Sequence, residues 1–517
     1  MTKIVLDPVS RIEGHLRIEV TVDDGVVKDA RTAGTLFRGF EIILQGRDPR
    51  DASRMTQRVC GVCPIAHATA STLAVDDAYG VADAIPDNGR IIRNLILGSN
   101  YLQSHILHFY HLAAPDYVDV AAAAGYSGPD AGLTKVAGFI AGGELAPFLP
   151  RYEGDYRLTK EQNLAAVSHY VTALEMRRKA HEMLTIFGGR MPHEVAIMVG
   201  GVTCTPTDDK IAAFLGYLSD LRTFITDCYL PDVLMVAKAY SDYAEIGAGV
   251  SRLLTYGVFD QKPKTGPLGA QRFFTPGLID TDINKSAVDP AKITEAVKNS
   301  WFDDACAGSP VTSSTKPSPG KDGAYSWLKA PRYDGQPTEV GPLARVLSAY
   351  IDDKPEVKAL VDGTLSELGA TPAALFSVLG RIAARAIEAK VIADAMVDWA
   401  LALKPGEPCI VESAVPDEAR GAGLSDAARG AVGHWLTVKD KKIANYQLVV
   451  PTTWNLGPRD DNDVPGPAEQ ALLGTKVKDL DNPFELGRIV RSFDPCLACS
   501  VHVVTPKGDE IARHIVT

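Results

Sequence analysis

Long apolar runs are missing from this sequence. No stretch approaches the roughly 18 to 20 consecutive apolar residues that a membrane-crossing helix needs, and segments such as 195–202 are far too short. The chain is therefore not expected to cross a bilayer unaided. Its opening residues, Met1 to Pro8, break their apolar stretch too early for the core of a secretory signal, so export would need a signal on another chain. A basic excess is missing as well. Lys and Arg number 53 against 64 Asp and Glu, a formal net charge of −11 with no concentrated basic stripe, which excludes the electrostatic footprint of a nucleic-acid binder. Cysteine is scarce, eight in 517 residues, and this excludes a disulfide scaffold. There is no internal repeat.

What is present is an ordinary globular composition, 46% hydrophobic and 23% charged, in a chain long enough to bury a large core. Gly14 to Thr35 alternates apolar and polar residues around Asp23-Asp24-Gly25, the pattern of a hairpin with a tight turn. Apolar residues then recur every three or four positions over Arg90 to Ala113, Lys160 to Phe187, Asp208 to Ile246 and Thr371 to Leu403, which predicts four long helices. Tyr256 to Tyr333, with turn signals at Ser309-Pro310 and Pro317-Ser318-Pro319-Gly320, reads as long surface loops. Cys409 to Glu412 and Trp435 to Val450 read as strands. The expected fold is mainly α with peripheral β: a central bundle of long helices and a small N-terminal sheet.

Four cysteines, Cys204, Cys228, Cys306 and Cys409, stand alone and read as small buried hydrophobes. The other four form two C-x-x-C pairs, Cys60/Cys63 and Cys496/Cys499, at opposite ends of the chain. Such a pair places two sulfurs close enough to hold one metal, and two pairs supply the four ligands of a tetrahedral site or a cluster. A zinc ribbon keeps its pairs within about 20 residues of each other. Here almost the whole chain intervenes, so the site would form by bringing both ends of one domain together. From spacing alone a structural zinc half-site, a redox dithiol and a catalytic centre all remain open.

The flanking residues narrow the choice. The first pair lies in Arg58-Val59-Cys60-Gly61-Val62-Cys63-Pro64-Ile65-Ala66-His67, the second in Asp494-Pro495-Cys496-Leu497-Ala498-Cys499-Ser500-Val501-His502, and upstream stands Arg11-Ile12-Glu13-Gly14-His15. In these three motifs the sequence resembles the large subunit of the [NiFe] hydrogenases. The likeness continues through Phe37-Arg38-Gly39-Phe40-Glu41, His108-Phe109-Tyr110-His111-Leu112, Phe187-Gly188-Gly189-Arg190 and Arg429-Gly430-Ala431, and so covers essentially the whole chain.

The resemblance implies a nickel–iron centre with carbon monoxide and two cyanides on the iron, and hence dedicated maturation proteins. Cys60 and Cys496 would be terminal nickel ligands, and Cys63 and Cys499 would bridge the two metals. Soft thiolates suit redox-active nickel. In such a protein H2 is cleaved heterolytically, with Cys496 as the base and Glu13 as the proton relay, its carboxyl raised by burial. A salt bridge to Arg11 or a neighbouring arginine is the alternative for Glu13. Arg429 would hang over the open metal position near a cyanide, Asp494 would pair with it, and Thr452 would donate to the other cyanide. His67 would hydrogen-bond a bridging sulfur. Glu41, the carbonyl of Leu448 and His502 would hold magnesium.

Two positions depart from the family pattern. Ser104 stands where many members have Asp, and Ala428 where many have Pro before the arginine. The lost carboxylate bears on the balance between hydrogen uptake and evolution and on oxygen tolerance. The resemblance further implies one domain over 1–502 and a tail, 503–517, removed by a nickel-dependent endopeptidase. With no second cysteine cluster for an Fe–S relay, electrons would leave through an Fe–S small subunit. Export with that subunit would place the protein in the periplasm, with the cytoplasm as the alternative. Competing readings are a hydrogen sensor of the same fold, the related quinone-site subunit of respiratory complex I, against which both intact cysteine pairs argue, and a structural zinc protein.

Overall fold

The computed structural model describes residues 1–250 and 252–500, with the backbone alone at 499 and 500. His502 and the segment 503–517 lie outside the described residues, as does the side chain of Cys499. Three strands open the chain, β1 (Thr2–Leu6), β2 (Leu16–Asp23) and β3 (Val26–Gly34), paired antiparallel in that order. In β2 the alternate residues Leu16, Ile18, Val20 and Val22 are buried and their neighbours half-buried, the signature of a sheet with one face on the core. Asp24 and Gly25, at φ 49° and 71°, make the left-handed two-residue turn that suits the twist of a hairpin.

The helices that matter for the site follow. They are α1 (Pro64–Tyr79), α2 (Asp87–Leu107), α3 (Lys160–Gly188), α4 (Asp208–Phe224) and α5 (Val378–Leu401). α3 starts at a capping box in which Thr159 and Gln162 satisfy each other's backbone N–H groups. α2 packs against α3 and α5, and α4 against the same two. α5 is buried on nearly every side, which fits its many Ala, Ile and Val residues and places it at the centre, and the charged Arg381, Arg385 and Glu388 within it are buried too. α2 and α4 each end in one wider turn, His108–Ala113 and Ile225–Tyr229. After the second, Leu230–Ala239 continues as helix through Pro231, whose missing N–H the wider turn accommodates. Among the described residues no helix is long and apolar enough to cross a membrane.

Strand content departs from expectation, and the chain is α+β. Residues 256–333 are not surface loops. They contribute short strands such as Val258–Lys262 paired with Gln271–Phe274 and Ile293–Ala296 paired with Ala330–Tyr333, many of their residues buried. A strand of four or five residues carries only two alternations, and the Pro and Gly of its turns dominate the local pattern. Cys409 to Glu412 is not a strand either, since only Ile410 bridges to Gly201. Trp435 to Val450 is two strands of a three-stranded sheet, β4 (Glu418–Ala427), β5 (Gly430–Lys439) and β6 (Lys442–Val449), turning at Asp440-Lys441 where φ is positive.

This sheet is not peripheral. α1 lies across it so closely that a Cβ on Gly421 would meet the Ala74 carbonyl at 2.0 Å, and one on Gly423 the Ala70 carbonyl at 1.9 Å. The two glycines alternate along β4 and so share the face under the helix. The chain closes through α6 (Pro451–Leu456), α7 (Phe484–Ser492) and α8 (Leu497–Ser500). Gly423→Val is expected to push α1 off the sheet and lower stability by about 3 kcal/mol. Gly363→Ala, where nothing lies within 4 Å of the added Cβ in an exposed helix, should leave thermal denaturation unchanged or raise its midpoint slightly.

Candidate metal centre

The two ends of the chain meet at Glu13. Its N–H donates to Pro495 O at 3.2 Å and its carbonyl accepts from Leu497 N at 2.8 Å, a short parallel bridge between Glu13 and Cys496. Gly14 follows at φ 84°, and a Cβ there would sit 2.7 Å from that of Leu497, so only glycine permits the approach. Cys60 leaves the turn Gln57–Val59 in extended backbone, and Cys63 caps α1 just before Pro64. These elements bring Cys60 Sγ to 3.2 Å and Cys63 Sγ to 4.0 Å from Cys496 Sγ, all three buried. A disulfide needs about 2.05 Å. Sulfurs arranged tetrahedrally on metal–sulfur bonds of about 2.3 Å stand roughly 3.8 Å apart, so the donor set fits a metal.

Glu13 Oε2 accepts from the Cys496 thiol at 3.2 Å and from Ala498 N at 2.8 Å. Burial raises its carboxyl above the ordinary glutamate value and the Cys60 sulfur raises it further; those hydrogen bonds and the charge of Arg429 offset this only in part. Arg11 is not its partner. Arg11 pairs instead with Asp116 and donates to Leu112 O at 2.6 Å.

Arg429 is buried and donates to Asp494 Oδ1 at 2.9 Å, Asp494 O at 3.0 Å and Ser104 Oγ at 3.1 Å. Ser104 thus stands against the guanidinium with a neutral hydroxyl. Burial alone would raise Asp494, but Arg429, His108 and Arg385 outweigh it and hold it below the usual carboxylate range. Arg385 shares that one carboxylate at 4.0 Å, and burial, with Arg429 and Arg381 nearby, pushes it down to about 10. Arg429, whose charge acts on Cys496, Cys63 and Cys60, gives the sulfurs a positive field suited to thiolates. Arg345, paired with Glu388, donates to the carbonyls of Ala427 and Ala428 at 3.0 Å each and so fixes the backbone that aims Arg429. Thr452, at the start of α6, accepts from Cys496 N at 3.0 Å, which leaves its own hydroxyl proton to donate.

His67 lies one helical turn beyond Cys63 and is buried. Burial lowers its pKa to about 4, with Cys60 opposing the shift. Its Nδ1 stands 3.2 Å from His434 Nε2, a residue that no spacing in the sequence connects to it. Glu41 accepts from Leu448 N at 3.0 Å and from the Thr315 hydroxyl. Beside them Gln447 Oε1 accepts from buried Lys329 at 3.3 Å, and Lys329 pairs with Glu295 at 2.8 Å. Thr315, Lys329, Glu295, His434 and Arg345 were all missed in the sequence, since none belongs to a short motif.

The fold thus gathers three buried cysteine sulfurs from both ends of the chain into one cluster that could hold a metal ion. A family described as nickel-dependent hydrogenase matches residues 38–502, and a second, described as HoxL-like, matches residues 3–33. The chain is 44% identical to the periplasmic [NiFeSe] hydrogenase large subunit of Desulfomicrobium baculatum, over 99% of its own length and 97% of that protein. It is 36% identical to the Hydrogenase-1 large chain of Escherichia coli, over 98% and 96%. The fold matches a [NiFeSe] hydrogenase variant from Desulfovibrio vulgaris Hildenborough with a TM-score of 0.87 at 45% identity, covering 97% of this chain and 99% of that one. This chain belongs to the nickel-dependent hydrogenase family, among its large subunits.

Asp494→Ala should leave Arg429 buried without its counter-charge and cost about 3 kcal/mol at neutral pH. Because the Asp494 carboxyl is lowered from its ordinary 3.8, its contribution is complete above that value and lost as pH falls through the lower folded value. The gap in thermal midpoint between parent and variant should therefore be constant from pH 5 to 7 and close only in stronger acid.

Proposed function

We propose that this chain is the catalytic subunit of a [NiFe] hydrogenase that interconverts H2 with protons and electrons. The observation that carries the proposal is the Glu13 carboxyl against Cys496 Sγ inside a buried cluster of three cysteines. Cys60 and Cys496 would be the terminal nickel ligands, and Cys63 with Cys499 the bridge to an iron carrying carbon monoxide and two cyanides. The relatives from Desulfomicrobium and Desulfovibrio are named for selenium as well. Here residues 60, 63, 496 and 499 are all cysteine, so sulfur alone is proposed. When bound, the centre supplies the redox couple that takes the electron pair of H2.

The protein's part is to place a base, a relay and a fixed charge. Cys496 Sγ takes the proton and Glu13 Oε2, 3.2 Å away, receives it. Burial raises its pKa above the ordinary glutamate value, which favours its taking up a proton from the thiol. Arg429 brings a permanent positive charge, held in place by Asp494 and Ser104, toward the side where anionic ligands would lie. Thr452 has one hydroxyl proton free for a cyanide, and His67, a neutral ring one turn beyond Cys63, would hydrogen-bond a bridging sulfur. Glu41, the backbone carbonyl of Leu448 and His502 are proposed to hold magnesium; Glu41 and Leu448 are neighbours through the Leu448 N–H, which donates to the Glu41 carboxylate at 3.0 Å.

Cys60, Cys63 and Cys496 are the one group of three or more close metal-binding side chains among the described residues, so an Fe–S small subunit is proposed to carry electrons away. The relatives' names as large subunits support this, and the periplasmic relative supports export with that partner. The segment after His502 is proposed as a tail that an endopeptidase removes once nickel is in place. The single domain would then end at 502.

Elemental analysis with infrared spectroscopy on the purified complex tests the proposal. Nickel, iron and stretching bands of carbon monoxide and cyanide are expected, whereas stoichiometric zinc without those bands in matured protein would overturn it. Glu13→Gln should keep the metals and bands but lower hydrogen oxidation by about 100-fold or more, the usual scale for a lost proton-transfer group.

A further inference from the structure

The long helix α3 carries two adjacent arginines in unlike surroundings. Arg178 is exposed and pairs with Glu175 and Glu182, one turn away on either side. Arg177 faces the next stripe of the helix, where the residues one turn away are Ala173, Leu174, Ala180 and His181, so no acid of its own helix can reach it. Among the described residues no carboxylate pairs with it from elsewhere. Its Nε is buried without a hydrogen-bond partner, and burial pushes its pKa down with Tyr170 opposing. His181 repeats the pattern, with Nε2 buried and unpartnered. Both residues line an open groove of about 380 Å³ together with Leu174, Thr185 and Met191, and Leu174 is 48% exposed. A guanidinium drawn partly out of water without a counter-charge is costly, so the groove suits a carboxylate.

Met191 ties the groove to the loop beside the cysteines. Two residues on, His193 at φ 64° lies within reach of the charges of Arg58, Arg190 and Cys60. Arg54, six residues before Cys60, donates to the carbonyls of Glu194 and Val195 at 2.9 and 2.6 Å, which joins that loop to the approach to Cys60. Arg58 and Arg190 are exposed and donate to the carbonyls of Arg54 and His193. Among the described residues neither forms an ion pair. In a chain of net charge −11 this face is therefore locally basic. A partner that takes electrons from the cysteine site needs a face near Cys60, and here one is found with charge to match an acidic surface. A second copy of this chain fits poorly, because a twofold contact centred on the stripe would set these arginines against themselves.

We infer that the Fe–S small subunit docks along the α3 stripe marked by Leu174, Arg177, His181 and Thr185, and seats a carboxylate of its own on Arg177 with His181 beside it. The inference rests on the proposed reading that this chain passes its electrons to such a subunit.

Two measurements on the intact large and small subunit complex test it. Leu174→Cys places a thiol at an exposed point of the stripe, and its alkylation by N-ethylmaleimide is followed by peptide mass spectrometry in the complex and in the large chain alone. Reaction at least about tenfold slower in the complex is expected for a buried interface position. Arg177→Leu should weaken association of the subunits about tenfold or more with nickel and iron content unchanged, and Arg177→Lys, which keeps the charge but loses the planar fork, should fall between. Equal alkylation rates would overturn the inference whether or not Arg177→Leu folds, and so would a folded Arg177→Leu chain that binds as tightly as the parent. Slow alkylation in the large chain alone, at the mass of a dimer, would assign the stripe to a second copy instead. A metal-loaded, active parent that purifies without any Fe–S subunit would overturn the partner reading itself.

Discussion

Everything at the cysteine site hangs on the pairing of residue 13 with residue 496. Two backbone hydrogen bonds and one glycine without room for a side chain hold the first and last parts of the chain in parallel contact. The same contact delivers the thiol of Cys496 to the sulfurs of Cys60 and Cys63 and lays the Glu13 carboxyl against it. Loop closure over such a span is slow, because the entropy of the intervening chain must be lost before the contact gives anything back. The rest of the domain must be largely in place first.

Positive charge is concentrated around that contact. Some buried guanidiniums have a carboxylate to themselves, as Arg381 has Glu339, while others share one, as Arg11 and Arg491 share Asp116. Beside the cysteines Arg429 and Arg385 share Asp494 alone. Such a surplus is costly unless something negative lies opposite, and thiolate sulfurs are the groups at hand. The charge of Arg429 beside the cysteines suits thiolates and is in keeping with the sulfur spacing.

What could be read in the sequence follows from how far apart the cooperating residues lie. α3 falls where apolar residues recur from 160 to 187, because a helix of many turns repeats its signal and its capping box marks the start. The two C-x-x-C pairs announce a metal because each is local. That the two pairs could share one site followed from their number, but spacing left zinc, redox and catalytic readings open, and only the flanking motifs narrowed them; the fold brings Cys60, Cys63 and Cys496 together. Short strands between 256 and 333 gave no comparable signal. His434 and Arg345 reach the site from a strand and a helix whose own patterns speak only of burial, so nothing local distinguished them from core residues.

Ser104 has a consequence of its own. With a neutral hydroxyl against Arg429, at a position where the family resemblance implies a carboxylate, the interior next to the cysteines carries one negative charge fewer than that pattern would give it. In a medium of low polarizability one charge at that range alters the local potential substantially. At the proposed centre an arriving electron would meet less repulsion, and the midpoint potential would lie higher than with an aspartate in that place.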